Sequence, residues 1–456
     1  MLNQKTINNR LTILGAGESG TGAALLAKAK GFDVFVSDYG SITDTYKAEL
    51  EEANIAYEEG KHSKAKILES QIIIKSPGIP ETAAIVKKAI DSDIRIVDEL
   101  EFAAHYTSAN IIAITGTNGK TTTTLLTYHL LKSAGYNVGL AGNVGHSLAK
   151  QVIDDQYDYY VVEISSFQLD GTLTFKPFIS VLLNITPDHM DRYEYKIENY
   201  VNSKFRIVQN AGANDHFIYY SGNQLIAGGV SARNIEAQMH KVSLADETEV
   251  YADNGLMHFD GFSISQSDTV LRGSHNAINM MAAVKAALLV DVPEESIRSG
   301  LKTFKNAPHR LEYVTSINNV DFINDSKATN VDAVGYALES FSEPLVWIAG
   351  GVDKGNDYDL IMESVNKKVK TLVCLGKDNS KLREAFHNEI VNLLETDNIK
   401  DAVKSSLEYA QAHDVVLLSP ACASFDLFNN YEDRGDQFKA AVWELKKEFE
   451  NKEALS

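Results

Sequence analysis

Short apolar runs punctuate the chain at Leu11–Leu14, Val34–Val36, Ile72–Ile74, Ile111–Ile114, Tyr159–Val162, Ile179–Leu183, Leu345–Ala349, Thr371–Leu375 and Val415–Leu418. Between them lie longer amphipathic stretches, among them Gly22–Ala29, Thr121–Ala134, Asn276–Val290 and Ala402–Ala412. The short runs predict buried strands and the longer stretches predict helices. Such alternation predicts parallel sheets with helices on both faces, an α/β fold. Ligands in these folds sit beyond the carboxyl ends of strands, so the loops that follow the apolar runs are where chemistry is expected.

Two breaks divide the pattern. His105–Asn110 is a short polar stretch before a strand, and Asn306–His309 carries a proline before a new strand-like series. They predict domains at 1–107, 108–309 and 310–456, in keeping with 456 residues at ~150 per domain. Residues 217–272 are alternating and rich in Gly and Ser, and read as an antiparallel extension of the middle domain. Two cysteines, Cys374 and Cys422, cannot frame a chain of this length with disulfides and suggest a reducing compartment. A net charge of −19 argues against nucleic acid and anionic membranes as partners. No apolar run approaches the ~18 residues of a membrane span, and the N-terminus lacks a signal-peptide apolar region. A soluble, cytoplasmic protein is expected.

The strand-end loops carry the chemistry. Gly15-Ala-Gly17-Glu-Ser-Gly20 follows the first strand and opens a helix, and Asp38 ends the next strand. Glycines let the backbone approach a phosphate, and the helix N-terminus attracts it. The same amides would serve a uridine diphosphate as well as NAD; a tight turn without a ligand is the bland alternative. Gly116-Thr117-Asn118-Gly119-Lys120-Thr121-Thr122 is more specific. Loop amides cradle phosphates, Lys120 neutralises β/γ charge and Thr121 can reach Mg²⁺. The loop is shorter than the usual one, since the first glycine of GxxxxGK would fall at Ile114. Glu163 ends a buried strand, where a second acidic contact to the metal belongs.

His189, in Asp188-His189-Met-Asp191-Arg192-Tyr193, suits either a metal ligand or a salt bridge. Lys204 reads by itself as a surface cation. An ammonium has no lone pair for a metal, so it becomes a ligand only if CO₂ converts it to a carbamate. Asn276 lies at the start of an Ala-rich helix, His309-Arg310 on the second break, and Asp325, Lys327 and Thr329 in one strand-end loop. Each suits nucleotide or anion contacts and each also suits simple capping. Lys354 in a Gly-rich loop suits a carboxylate, and Cys422 reads as a small buried residue. An NAD-dependent oxidoreductase would account for the first glycine loop alone. A guanine-nucleotide switch would need an Asn-Lys-x-Asp motif that the chain lacks.

Taken together, Gly116-Thr-Asn-Gly-Lys-Thr, Glu163-Ile-Ser-Ser-Phe-Gln, Asp188-His-Met-Asp-Arg-Tyr, His309-Arg310, Asp325-Ser-Lys-Ala-Thr-Asn and Ser419-Pro-Ala-Cys-Ala-Ser resemble the Mur ligase family, in order and over essentially the whole chain. These are ATP-dependent amide-forming enzymes of peptidoglycan precursor synthesis. Ser76-Pro-Gly-Ile-Pro80 and Gly350-Gly-Val-Asp-Lys-Gly355 look most like the branch that adds D-glutamate. The resemblance implies three α/β domains: a Rossmann-like N-terminal domain, a central P-loop ATPase domain with a small antiparallel extension, and a Rossmann-like C-terminal domain. It implies UDP-N-acetylmuramoyl-L-alanine, D-glutamate and ATP as substrates, an acyl-phosphate intermediate, and a monomer.

The resemblance also implies residue roles. Ser19, Asp38, Ser76 and Asn143 would hold the UDP substrate. Gly116, Thr117, Asn118, Gly119, Lys120, Thr121 and Thr122, with Asn276, Arg310 and Asp325, would bind ATP. Thr121 and Glu163 would serve one Mg²⁺, and His189 and carbamylated Lys204 a second, which with Lys120 makes the catalytic set. Thr329, Lys354, Ser424 and Tyr431 would bind D-glutamate, and Lys327 would face phosphate or the reacting carboxylate.

Overall fold

A computed structural model of the chain describes residues 9–453. The aliphatic runs form strands because their stiff, branched side chains pack well on pleated surfaces. The first sheet holds β1 (Arg10–Leu14), β2 (Asp33–Ser37), β3 (Ala56–Glu58), β4 (Ile72–Lys75) and β5 (Arg95–Val97). All pair in parallel, in the order β3-β2-β1-β4-β5.

The second sheet holds β6 (Asn110–Thr115), β7 (Val138–Gly142), β8 (Tyr159–Glu163), β9 (Ile179–Leu182), β10 (His216–Tyr220), β11 (Gln238–Ser243), β12 (Val250–Asp253), β13 (Leu256–Phe259) and β14 (Phe262–Ser265). Its order is β14-β13-β12-β11-β10-β9-β6-β8-β7. The antiparallel extension is therefore smaller than the sequence pattern predicts. β10 and β11 continue the parallel sheet, and only β12, β13 and β14 pair antiparallel. Phe217, Ile218 and Tyr219 of β10 are all buried, so both its faces are covered, and strand direction is set by the helix Gln224–Ser231 that carries the chain across from β10 to β11.

The third sheet holds β15 (Glu312–Ile317), β16 (Val320–Asn324), β17 (Leu345–Ala349), β18 (Val369–Leu375), β19 (Asn392–Thr396) and β20 (Val415–Leu418), in the order β15-β16-β20-β17-β18-β19. Only the β15/β16 hairpin is antiparallel. The fold is α/β with three domains, one per sheet. β17 shows why its run is continuous rather than alternating: Leu345, Trp347 and Ala349 enter the core on one face, Val346 and Ile348 the core on the other.

The backbone divides into two units: one holds the first two sheets with residues 278–304, the other holds the third sheet with residues 271–277. Within the first unit, Asp98–Glu101 fastens the first sheet to the second. Glu99 Oε1 accepts the Ser147 hydroxyl at 2.7 Å and the Ala149 amide at 2.6 Å. Glu101 accepts the amides of Leu173, Thr174 and Phe175 at 2.8–3.0 Å. Among the described residues no helix is long and apolar enough to cross a membrane.

Candidate functional site

β6 lies between β8 and β9, and the chain turns from its carboxyl end into the helix Lys120–Ser133. That is the topological switch point of the sheet, where a ligand is expected. Gly119 sits at φ 82°, and a Cβ there would meet Asn279 Oδ1 at 2.3 Å, so the turn requires glycine twice over. Asn184, after β9, holds the loop's shape. Its carbonyl accepts the Thr117 amide at 2.9 Å, its Oδ1 accepts the Asn118 amide at 2.8 Å, and its Nδ2 donates to the Asn118 carbonyl at 3.0 Å. The shortened loop is thus completed by the neighbouring strand end.

Two lysines converge on this loop. Lys120 Nζ donates to the carbonyls of Gly116 at 3.0 Å and Thr117 at 2.8 Å. Lys204 Nζ donates to the same Gly116 carbonyl at 2.8 Å. Lys204 is no surface cation: its residue is 1% exposed, at the end of the helix Ile197–Phe205. Burial, and then the charge of Lys120, hold its amine well below the usual lysine range.

Glu163 ends β8, opposite Ile114 on β6 and Gly142 on β7. Its Oε1 accepts Asn143 Nδ2 at 2.8 Å, while its Oε2 is buried without a hydrogen-bond partner. A buried carboxylate oxygen without a donor is costly unless a cation answers it. The donor set there, a carboxylate next to the Thr121 hydroxyl's loop, is all oxygen and fits Mg²⁺. His189 stands in the left-handed region at φ 53°, its ring 5.0 Å from Phe167 and half exposed. Strained non-glycine backbone of this kind gathers at functional sites. Asp188 Oδ2 is 3.7 Å from His189 Nε2.

In the first sheet, Gly15 follows β1 at φ 92°, and a Cβ there would meet Ser76 Oγ at 2.5 Å after β4. Asp38 orders this turn, accepting the amides of Ala16 and Gly40, each at 2.7 Å. Ser19, in the first turn of the helix Glu18–Ala29, lies in the same loop region.

The remaining predicted residues belong to the second unit. Asn276 is buried and donates to the Arg272 carbonyl at 2.8 Å. Asp325 follows β16; it accepts the Ser419 hydroxyl at 2.9 Å and the Leu311 amide at 3.2 Å. Burial pushes its carboxyl up to about 7, against the Ser419 hydrogen bond and the charge of Arg310. Lys327 Nζ lies 5.2 Å from the centre of the Tyr431 ring. Thr329 and Ser424 flank the same strand ends, Ser424 buried, and Lys354 is exposed in its glycine loop. Cys422 and Cys374 are buried with thiols pushed up by burial, so neither serves as a nucleophile.

Three further residues matter that sequence reasoning left aside. Arg434, 1% exposed, donates to the Ser326 carbonyl at 2.9 Å, the Cys422 carbonyl at 3.2 Å and the Gly350 carbonyl at 3.3 Å. It ties together the three strand-end loops that carry Lys327, Ser424 and Lys354. Nothing local marks it; only the fold makes it buried. Asn279 shares a helix face with Asn276, three residues on, and that spacing was a usable signal. Tyr200 OH lies 3.3 Å from Thr117 Oγ1, one turn before Lys204.

Family models match in three pieces: the "MurD N-terminal domain" over residues 10–85, the "Mur ligase middle domain" over 114–287, and the "Mur ligase, glutamate ligase domain" over 309–422. A UDP-N-acetylmuramoylalanine–D-glutamate ligase of Cytophaga hutchinsonii is 50% identical over 448 residues, 96% of this chain and all of the relative. One from Bacteroides fragilis is 48% identical over 442 residues, with the same coverage. Among solved structures, the UDP-N-acetylmuramate–alanine ligase MurC of Thermotoga maritima superposes with a TM-score of 0.62 at 17% identity, over 96% of this chain and all of that one. The MurF ligase of Thermotoga maritima gives 0.60 at 15% identity, over 92% and 95%. These two share the fold.

Proposed function

Since the chain belongs to the Mur ligase family, we propose that it joins D-glutamate to the L-alanyl carboxylate of UDP-N-acetylmuramoyl-L-alanine, with ATP cleaved to ADP and phosphate, in peptidoglycan precursor synthesis. The observation that carries the reading is the meeting of Lys120 and Lys204 on Gly116, with an unanswered Glu163 oxygen on the adjoining strand.

A carboxylate is a poor acyl donor, because its leaving group would be oxide. Attack of the alanyl carboxylate on the γ-phosphoryl group makes an acyl phosphate, and the D-glutamate amine then displaces phosphate. Several anions must meet, so catalysis is largely positioning and charge compensation. Lys120 leaves its loop carbonyls to take the β/γ-phosphates, and the amides at the start of the helix Lys120–Ser133, reached through a loop whose shape Asn184 holds, receive the rest. Thr121 and Glu163 would hold one Mg²⁺, which supplies charge neutralisation at the transferring phosphoryl group. A second would be held by His189 and Lys204. The neutral amine that burial favours at Lys204 is the form that adds CO₂, losing a proton to become a carbamate. This turns a buried neutral amine into an anion beside the Lys120 cation. Asn276, Arg310 and Asp325, in the second unit, are the residues there that would contact ATP. Lys354, Thr329, Ser424 and Tyr431, framed by Arg434, receive D-glutamate, and Ser19, Asp38, Ser76 and Asn143 the UDP-sugar.

The test is coupled ADP release with UDP-N-acetylmuramoyl-L-alanine and a panel of amino acids. ADP release that requires both that substrate and D-glutamate is expected. Release that ignores either would sink the reading.

A further inference from the structure

The first unit contains a cavity of about 280 Å³ along the outer edge of the first sheet, beside β5, where the helix Ala84–Asp91 faces the helix Ser166–Asp170. Ser19 and Asp38 follow β1 and β2, on the far side of β4, so this cavity is separate from the nucleotide-phosphate turn. A cavity of roughly 150 Å³ already accepts a benzene ring.

Its walls are of two kinds. Val86, Ile90, Ile96, Val97 and Phe167 are apolar. Glu81, Asp93, Asp98 and Asp170 bring four carboxyls, against one amine from Lys75. Lys75 Nζ is engaged with the Ile79 carbonyl at 2.8 Å, and Asp170 Oδ2 accepts the Tyr193 hydroxyl at 3.0 Å. Asp98 is 2% exposed; its Oδ1 accepts the Leu100 amide at 3.0 Å, and among the described residues no hydrogen bond reaches its Oδ2. Asp98 lines the cavity, so this oxygen is open to a donor from outside the chain. Burial, and then the charge of Glu99, hold the Asp98 carboxyl well above the ordinary range.

Phe167 is shared between this cavity and the loop that bears His189. The His189 ring lies 5.0 Å from it, the Tyr193 ring stacks at 6.1 Å, and the Arg192 guanidinium carbon sits 4.3 Å from its centre. Arg192 in turn reaches the carbonyls of Pro77 at 3.3 Å and Gly78 at 3.5 Å, in the loop after Ser76.

We propose that this cavity binds a small apolar amine, a monocation with an aromatic or branched aliphatic body, and that its occupancy is read at His189 through Phe167. The excess of carboxyls selects the ammonium, the apolar floor takes the body, and the open Asp98 oxygen receives an N–H. A body large enough to fill the floor presses on Phe167, and with it on the rings and guanidinium stacked against that residue. The binding half stands on the cavity alone; the read-out half rests on the ligase reading above.

Calorimetric titration of the full chain with 2-phenylethylamine tests it, with 2-phenylethanol and 3-phenylpropanoate as controls of the same skeleton. The amine should bind saturably at millimolar concentration, about tenfold or more tighter than either control. Ile90→Trp, which fills the cavity from its half-exposed rim, should abolish binding. Glu81→Gln, at an exposed position, should weaken it several-fold and serves if the tryptophan variant misfolds. In ADP-release assays the amine should change kcat or KM in the parent and neither in Ile90→Trp, whose basal turnover stays near that of the parent. No saturable heat up to about 10 mM, equal binding of the alcohol, or undiminished binding in either variant would overturn the site. Binding without any change in turnover would overturn the Phe167 relay. Failure to release ADP without amine would instead count against the ligase reading and leave the calorimetry standing.

Discussion

At the scale of single residues, the chemistry rests on charged groups whose surroundings decide their form. Lys120→Ala should abolish ADP formation while the far-ultraviolet circular dichroism stays unchanged, because the role proposed for the lysine is on phosphate and its amine meets loop carbonyls rather than a core. Lys204→Ala and Lys204→Arg should both lower kcat by about 100-fold or more, since neither side chain can take up CO₂. Steady-state turnover under bicarbonate decides this, and an arginine variant with full activity would show that a cation suffices. Burial pushes the Asp325 carboxyl up to about 7. Below that it is protonated and a weaker acceptor for a ribose hydroxyl, so the KM for ATP should fall as pH rises from about 6 to 8. Asp325→Asn should flatten that dependence. That the glycine loop and Glu163 stand at strand ends was legible in the sequence, because each adjoins an apolar run directly and fold class alone then places it. Lys204 was not. Its meaning comes from burial against Gly116, a residue 88 positions away, and no local pattern reports such a contact. Arg434 is the extreme case: an arginine in a charged helical stretch looks solvated until three loops close around it.

At the scale of elements, the strip Asp98–Glu101 shows neighbours with opposite titration behaviour. Glu101 is held below its ordinary range; burial opposes this, but the Thr174 hydroxyl and three backbone amides outweigh it. Glu99 is pushed up to about 7 by burial, with one oxygen unpartnered. The folded state therefore holds a proton on Glu99 that the unfolded chain has released above about 4.5. Stability from this group is full below the unfolded value and is lost as pH rises through about 7, a span worth about 3 kcal/mol at most. Glu99→Gln keeps an acceptor for Ser147 and Ala149 and removes the titration. Its denaturation midpoint relative to the parent should move in the variant's favour between about pH 5 and pH 8; thermal melts at both ends check it, and a constant gap would refute it. Elements themselves were legible where the apolar run is long and buried on both faces, as in β17. They were missed where strands are three residues long, as in β3 and β5, and misread at β10 and β11, where a crossover helix rather than a tight turn joins two parallel strands.

At the scale of the whole molecule, a net charge of −19 faces substrates that are themselves polyanions. The average field repels them, and the local reversal at Lys120, Arg310, Lys327 and Lys354 acts only at short range. Screening shortens the reach of the repulsion more than that of the contacts. Raising monovalent salt from about 10 to 150 mM should therefore increase kcat/KM for the UDP-sugar several-fold, where a basic enzyme would show a decrease; initial rates at low substrate settle the sign. Each sheet, moreover, is drawn from one unbroken stretch of chain, strands 10–97, 110–265 and 312–418 in turn. No strand waits for a partner from a later domain. During synthesis, then, the first two sheets can assemble while the last third of the polypeptide is still to be made. The order of manufacture therefore gives a nascent chain the glycine loops after β1 and β6 before the loops that carry Asp325 and Lys354 exist, so under the proposed roles no chain short of its third sheet could complete the reaction.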